Sequence, residues 1–332
     1  AGTQQWWRWW WPCVSTGTRA PAQCIIMIHN VEFRAMSCRV NIQLEADGGG
    51  SILDPMPDRL EAIEARLSRF RPTSELMQLN ARAGEWVAVS DVLFANVQAA
   101  RQAALLTDGY FNPLVLPAMI ANGYTRSFDS IGGTSIIQSE PAPDWRQIDL
   151  RTQTQEVKIP AGSAIDLGGI AKGWTTAHIA DALSQFGPCL VNIGGDMTAR
   201  SAPAGWDGWP VEIKDPIQQT TFATVYLADV SIATSGIDRR RWRDSQGGSH
   251  NHIIDPRTGQ SLATDVVGTS VIHPQAVMAE AYTKSIMLRG AQAGLDWLNQ
   301  QWHAAGLVFG YDGTVLSNST FNALVHEGSI SS

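Results

Sequence analysis

Between Ala164 and Asp196 the chain passes from a paired-glycine turn through an amphipathic segment into an apolar run, an order compatible with few folds. Gly168-Gly169 follow Ala164 and Ile165. Behind them Ile170, Trp174, His178-Ile179 and Ala182-Leu183 recur at helical spacing, and Gly187 is placed to end that helix. Cys189 to Ile193 reads as a buried strand, closed by Gly194-Gly195 and Asp196. Such a unit suits an anion. Glycine lets backbone approach a ligand closely, and the first N–H groups of a helix carry the positive end of its dipole. Lys172 adds a positive charge, and Asp166 offers acceptors to a sugar hydroxyl or a base. The spacing is neither that of a Rossmann turn nor of a P-loop. Paired glycines also mark ordinary turns, so the unit by itself leaves both a diphosphate cradle and a plain turn open.

The net charge of -7 excludes a general nucleic-acid binder, which needs a basic face. A hydrophobic fraction of 44% is enough for a sizeable core. No apolar run reaches the roughly 18 residues of a membrane span. The four cysteines, Cys13, Cys24, Cys38 and Cys189, show no paired spacing, so neither a disulfide framework nor a zinc site is indicated. Cys189 reads as a small core residue.

Residues 1 to 30 differ from the rest. Trp6, Trp7, Trp9, Trp10 and Trp11 surround Arg8, and Pro12 breaks the run. This makes a poor secretory signal and a poor lipidation context. It reads as an appended or disordered segment, with contact to a membrane interface as the alternative, and the protein is expected to be cytoplasmic. The domain is expected over residues 31–325. Val40, Ile42 and Leu44 alternate as a strand does, and Gly48 to Ser51 reads as a loop. Leu60, Ile63, Leu67 and Phe70 trace a helical face with Pro57 in its first turn. Ser90 is placed to cap a helix bearing Leu93, Val97, Ala100 and Ala104. Residues 121 to 145 read as an excursion, and Val157 and Ile159 as a strand. Further strands are expected at Val211 to Lys214, Thr221 to Leu227 and Ser231 to Ala233, the last broken by Thr234-Ser235-Gly236. Arg239, Arg240, Arg241 and Arg243 surround Trp242, as a solvated turn or a docking site for an acidic group. His250 and His252 would point the same way on a strand, and either one suits a general base. After a strand at Gly268 to His273 comes a helix through Val277, Ala281, Lys284-Ser285 and Leu288, where Glu280 and Lys284 form an i,i+4 pair. A second helix through Leu295 and Trp302 precedes a final strand at Leu307 to Phe309. Helices and strands mix without strict alternation, which indicates α+β.

Several motifs occur in an order that resembles the ApbE-type FAD:protein FMN transferases. They are Asp166-Leu-Gly-Gly-Ile-Ala-Lys-Gly173, Asn192-Ile-Gly-Gly-Asp196, Ala233-Thr-Ser-Gly236 and His252-Ile-Ile-Asp-Pro-Arg-Thr-Gly259. Phe33-Arg34-Ala35-Met36, the segment from Phe70 to Leu79-Asn80, and Thr107-Asp-Gly-Tyr-Phe-Asn-Pro113 fit as well. The resemblance spans roughly residues 33 to 312. It implies a single large α+β, T-fold-like domain of mixed sheets flanked by helices, with FAD in a cleft and magnesium on the diphosphate. The implied reaction splits FAD at the pyrophosphate, attaches FMN to a Thr or Ser hydroxyl of an acceptor flavoprotein, and releases AMP. Carried over by position, Met36, Phe70, Tyr110, Phe111, Asn112, Asp166, Lys172, His252 and Ile254 would line the FAD site. His252 would act as base beside Asp166 and Lys172, and Gly169 would offer its carbonyl to the metal.

The expected helix pattern is Ala-Asp-Ala with a Thr four residues after the Asp, both side chains binding magnesium. Here the stretch reads Ala279-Glu-Ala-Tyr-Thr-Lys284. Glu280 replaces the Asp, Lys284 stands where the Thr ligand belongs, and Thr283 is one residue off that face. A protonated lysine cannot ligate a metal. It can instead replace the ion. The departure leaves three outcomes open: magnesium still held through Glu280 and carbonyls, transfer with weaker metal dependence, or flavin bound without transfer. Beside the transferase, the alternative function is a flavin binder that transfers nothing or an FAD pyrophosphatase giving FMN and AMP. Asn112, where the turn usually has Asp, is a milder departure.

Overall fold

A computed structural model of the chain describes residues 27–125, 139–237, 241–244 and 248–325. The tryptophan-rich segment, most of the expected excursion, Arg239 and Arg240 lie outside the described residues. Strand β1 (Ile28–Ala35) turns directly into β2 (Cys38–Glu45). Met36 and Ser37 make that two-residue turn with φ of 52° and 57°, the positive values a tight hairpin demands. Helix α1 (Gly49–Leu53) forms where a glycine-rich loop was expected, with Leu53 buried to anchor it. Helix α2 (Met56–Leu67) buries Leu60, Ile63 and Leu67 but ends there, leaving Phe70 beyond the helix.

Helix α3 (Glu75–Ala81) was not expected. The Ser74 hydroxyl caps it by accepting from the Met77 N–H at 3.2 Å. After β3 (Val87–Ala88), helix α4 (Asp91–Leu106) starts at the expected Ser90 cap, which accepts from Leu93 N–H at 3.3 Å. A turn of 3-10 helix at Pro113–Val115 leads into α5 (Leu116–Ala121). Strand β4 (Asp149–Arg151) pairs with β5 (Glu156–Lys158), which pairs with β3 on its other side, in a small sheet.

Helix α6 (Ala171–Ser184) and β6 (Cys189–Ile193) stand where the sequence places them. Gly194 and Gly195, with φ of 64° and 101°, then close a hairpin onto β7 (Asp196–Arg200), a strand the reading of the sequence missed. Next come β8 (Trp209–Lys214), β9 (Thr221–Leu227) and β10 (Ser231–Gly236). The last runs on through Thr234-Ser235-Gly236, because each of those residues pairs with β13. β11 (Arg241–Arg243) and β12 (Ser249–Asn251) form a short ribbon. β13 (Val266–His273), α7 (Ala276–Arg289), α8 (Ala291–Leu298), β14 (Ala305–Gly310), β15 (Val315–Ser317) and α9 (Ser319–Asn322) complete the chain. The strand at Leu307 is therefore not the last, and Trp302 lies past α8, exposed.

The main sheet has the order β1-β2-β6-β7-β10-β13-β14-β15, antiparallel at every step and open, with β1 and β15 as its edges. Both faces are covered at its centre. Val271 packs into the helical core with Val191 and Ile286, while its neighbour Ile272 packs with Trp209, Val225 and Phe309 under the β8–β9 hairpin. This is an α+β arrangement, with helices over one face and a hairpin over the other. Among the described residues no helix is long and apolar enough to cross a membrane.

Candidate active site

Helix α7 lies across β10 and β13 and is buried nearly all round. Glu280 is only 1% exposed, so the i,i+4 pair with Lys284 is no surface pair. Glu280 faces the start of α6. Its Oε2 accepts the Gly173 N–H at 3.0 Å and its Oε1 accepts Lys172 Nζ at 2.6 Å. The Ala171 N–H is already bonded to the Leu167 carbonyl. The anion at this helix terminus is therefore the protein's own carboxylate, which corrects the expectation of open N–H groups there. Glycine is required at 173, since a Cβ would stand 2.8 Å from the Ala276 carbonyl oxygen.

Lys172 is also paired with Asp196, delivered by the Gly194-Gly195 hairpin. Burial works against its charge, but the Asp196 and Glu280 carboxylates outweigh it and hold the ammonium above the ordinary lysine range. Burial pushes Glu280 up, yet Lys172 and Lys284 together leave it below the usual carboxylate value. Asp196 goes the other way, raised by burial with Lys172 resisting. Lys284 is lowered by burial, with Glu280 opposing and Lys172 adding to the shift.

These groups stand at one corner of a cleft of about 790 Å³, the size of a small-molecule site. Its walls include Met36, Phe70, Tyr110, Phe111, Asn112, Asp166, Gly169, Lys172, His252, Ile254 and Lys284. Gly169 allows the closest approach in that corner. A Cβ there would meet Phe111 Cε2 at 2.7 Å and Lys284 Cε at 3.3 Å. The turn before α6 and helix α7 thus touch at the cleft.

Some residues behave differently from expectation. Asn112 lines the cleft, but its amide caps its own turn, donating to the Pro143 carbonyl at 2.9 Å and accepting from Leu114 N–H at 2.9 Å. Thr283 is fully buried behind Ser235, a residue of the cleft wall, its hydroxyl bonded to the Ser235 hydroxyl and to the Glu280 carbonyl. Strand β12 ends at Asn251, so the two histidines separate. His250 turns to Asp244 at 2.8 Å and stacks on Trp242, while His252 lines the cleft. Trp242 is buried and bonded to the Asn122 carbonyl, so its ring is core rather than a solvated turn.

The reading of the sequence missed Arg69. Its Nε lies 2.9 Å from Asp166 Oδ2, with both side chains nearly buried. Its guanidinium lies over the rings of Phe70 and Tyr124, at 4.1 and 4.4 Å from their centroids. One arm, Nη2, is buried without a partner, and the side chain borders the cleft. Its position just before Phe70 is the only sequence signal, and nothing in the helical period marks it. Asn80 explains the Leu-Asn segment. Its side chain brackets the backbone of Ile165, donating to the carbonyl at 2.9 Å and accepting from the N–H at 2.7 Å, and so fixes the approach to Asp166.

A model of the ApbE family matches residues 36–308. The chain belongs to the ApbE family. A Treponema pallidum relative named FAD:protein FMN transferase is 30% identical over 278 residues, 76% of each chain. A Vibrio cholerae protein of that name is 27% identical over 248 residues, covering 71% of this chain and 72% of its own. The ApbE protein of Thermotoga maritima superposes with a TM-score of 0.81 at 23% identity, covering 91% of this chain and all of that one. The apo flavinyl transferase ApbE of Pseudomonas stutzeri gives 0.79 at 20% identity, covering 91% and 98%. These two structures establish the shared fold.

Magnesium would need oxygen donors turned to the cleft of this ApbE-family chain. Glu280 is engaged by two lysines and a backbone N–H, the Thr283 hydroxyl is taken up by Ser235 and the Glu280 carbonyl, and Lys284 has no lone pair while protonated. Among the described residues no group of three His, Cys, Asp or Glu side chains could hold a metal ion. The residues at this corner do not fit the ion that the resemblance implies.

Proposed function

We propose that this chain is an FAD:protein FMN transferase. The observation that carries the reading is the meeting of the 166–173 turn with α7 in a cleft that Phe70, Tyr110 and Phe111 also line, Phe111 against the turn itself. The flavin lies along these rings and the diphosphate reaches the charged corner. Tyr110 is held in place, with its hydroxyl accepting from Arg257 at 3.0 Å and the Arg289 guanidinium 3.8 Å from its ring centroid. An acceptor Thr or Ser Oγ attacks the phosphorus on the FMN side. The Oγ–P bond forms, the P–O bond to AMP breaks, and AMP leaves. His252 takes the hydroxyl proton. Lys284 and the braced turn at 166–169 offset the charge that develops on the phosphoryl oxygens. Asp166, anchored by Arg69 and Gly168 N–H, orients the substrate.

The test is incubation of the chain with FAD and a threonine-containing peptide from a candidate acceptor flavoprotein, followed by mass spectrometry and nucleotide analysis. FMN mass on the threonine with equimolar AMP supports the reading. AMP release without peptide modification assigns an FAD pyrophosphatase, and bound FAD with no AMP assigns a binder.

A further inference from the structure

We propose that Lys284 is a resident cation, its ammonium standing beside the diphosphate of FAD in place of a divalent metal, so that this chain binds the dinucleotide without a metal ion. The inference rests on the flavin reading above. Three observations carry it.

The corner holds two ammonium groups and two carboxylates. Lys172 has both carboxylates as close partners, Asp196 and Glu280. Among the described residues, Lys284 bonds only Glu280, at 3.3 Å to its carbonyl and 3.4 Å to Oε1. Charge-assisted bonds are normally near 2.8 Å. Phosphate oxygens in the cleft would thus give Lys284 stronger contacts than it now has, while Lys172 stays committed to its carboxylates.

The second observation is room. Lys284 borders the cleft with its stem against Gly169, and a Cβ at that glycine would crowd the stem at 3.3 Å. The third is charge balance. Lys172 and Lys284 offset the Asp196 and Glu280 carboxylates, and Glu280 already accepts from Lys172 and the Gly173 N–H, so no excess negative charge is left in this corner to draw a divalent ion.

The test is equilibrium titration of FAD, followed by flavin fluorescence, in chelator and in magnesium. Riboflavin, which lacks phosphate, is titrated alongside as a check on the fold. Wild type is expected to bind FAD with the same Kd in both media, within about twofold. Lys284→Met, which keeps the stem and removes the charge, should weaken FAD about tenfold or more in chelator and leave riboflavin unchanged. Lys284→Thr should bind FAD tightly only with magnesium. Wild-type FAD binding that requires magnesium overturns the inference and leaves the flavin reading standing. So does a Lys284→Met chain that keeps riboflavin and binds FAD in chelator as wild type does. Absence of FAD binding in both media overturns the flavin reading and this inference with it. If a variant loses riboflavin too, the wild-type comparison alone decides.

Discussion

Arg69 and Asp166 show how much one buried pair can carry. The two side chains are 6% and 10% exposed, so removing either leaves a desolvated partner. Arg69→Met should cost about 3 kcal/mol in urea denaturation, the usual penalty for breaking a buried pair from one side. It should also weaken FAD, because Asp166 loses its anchor and Phe70 its cation. A wild-type midpoint in that variant would show that solvent reaches Asp166. His252 belongs to chemistry rather than to packing on the proposed reading. His252→Asn should slow transfer about a hundredfold, the usual share of a general base, and leave the FAD Kd within severalfold. Equal losses in rate and affinity would make it a binding residue.

Among the elements, α7 does most to organise the molecule. It carries Glu280 and Lys284, covers β10 and β13, and touches α4, α6 and α8. It packs closely against α8 at Gly294, where a Cβ would stand 2.8 Å from Ile286 Cα. Gly294→Ala should therefore push α8 away and cost about 1–3 kcal/mol by overpacking. A thermal melt measures this, and an unchanged Tm would mean that the two helices slide apart freely. The bracket of Asn80 on Ile165 ties α3 to the turn before α6. Asn80→Ala should remove two half-buried hydrogen bonds and cost about 2 kcal/mol, read from denaturation.

At the scale of the whole molecule, the response to acid is set partly by His273, at the end of β13 against the ring of Tyr282. Burial holds its pKa below the ordinary 6.5. As pH falls, the unfolded chain takes up that proton before the folded one does. Stability from this group is complete above 6.5 and declines between 6.5 and the lower folded value. His273→Asn should flatten that part of the stability–pH curve, measured by urea midpoints across the window. An unchanged slope would assign the acid response to other groups. Cys189 contributes nothing to thiol chemistry at neutral pH, because burial pushes its thiol up to about 12.

Local pattern was enough to place α2, α4, α6, β6, β13 and α7, because each is an apolar stretch bounded by its own cap, glycine or proline. The ordered glycine, histidine and lysine motifs were likewise legible, and the cleft collects them. What local pattern could not supply was anything set by a partner distant in sequence. Strand β7 looked like loop because its pairing comes from β6 and β10. The 194–195 glycines read as a stop, although their positive φ values make them a hairpin. Arg69 carries no signal of its own, since Asp166 lies 97 positions away and meets it only in the folded chain. The same holds for charge. Sequence spacing makes Glu280 and Lys284 an exposed helical pair. Only the packing of α7 against α6 buries them, brings Lys172 and Asp196 alongside, and turns four ordinary side chains into one charged corner.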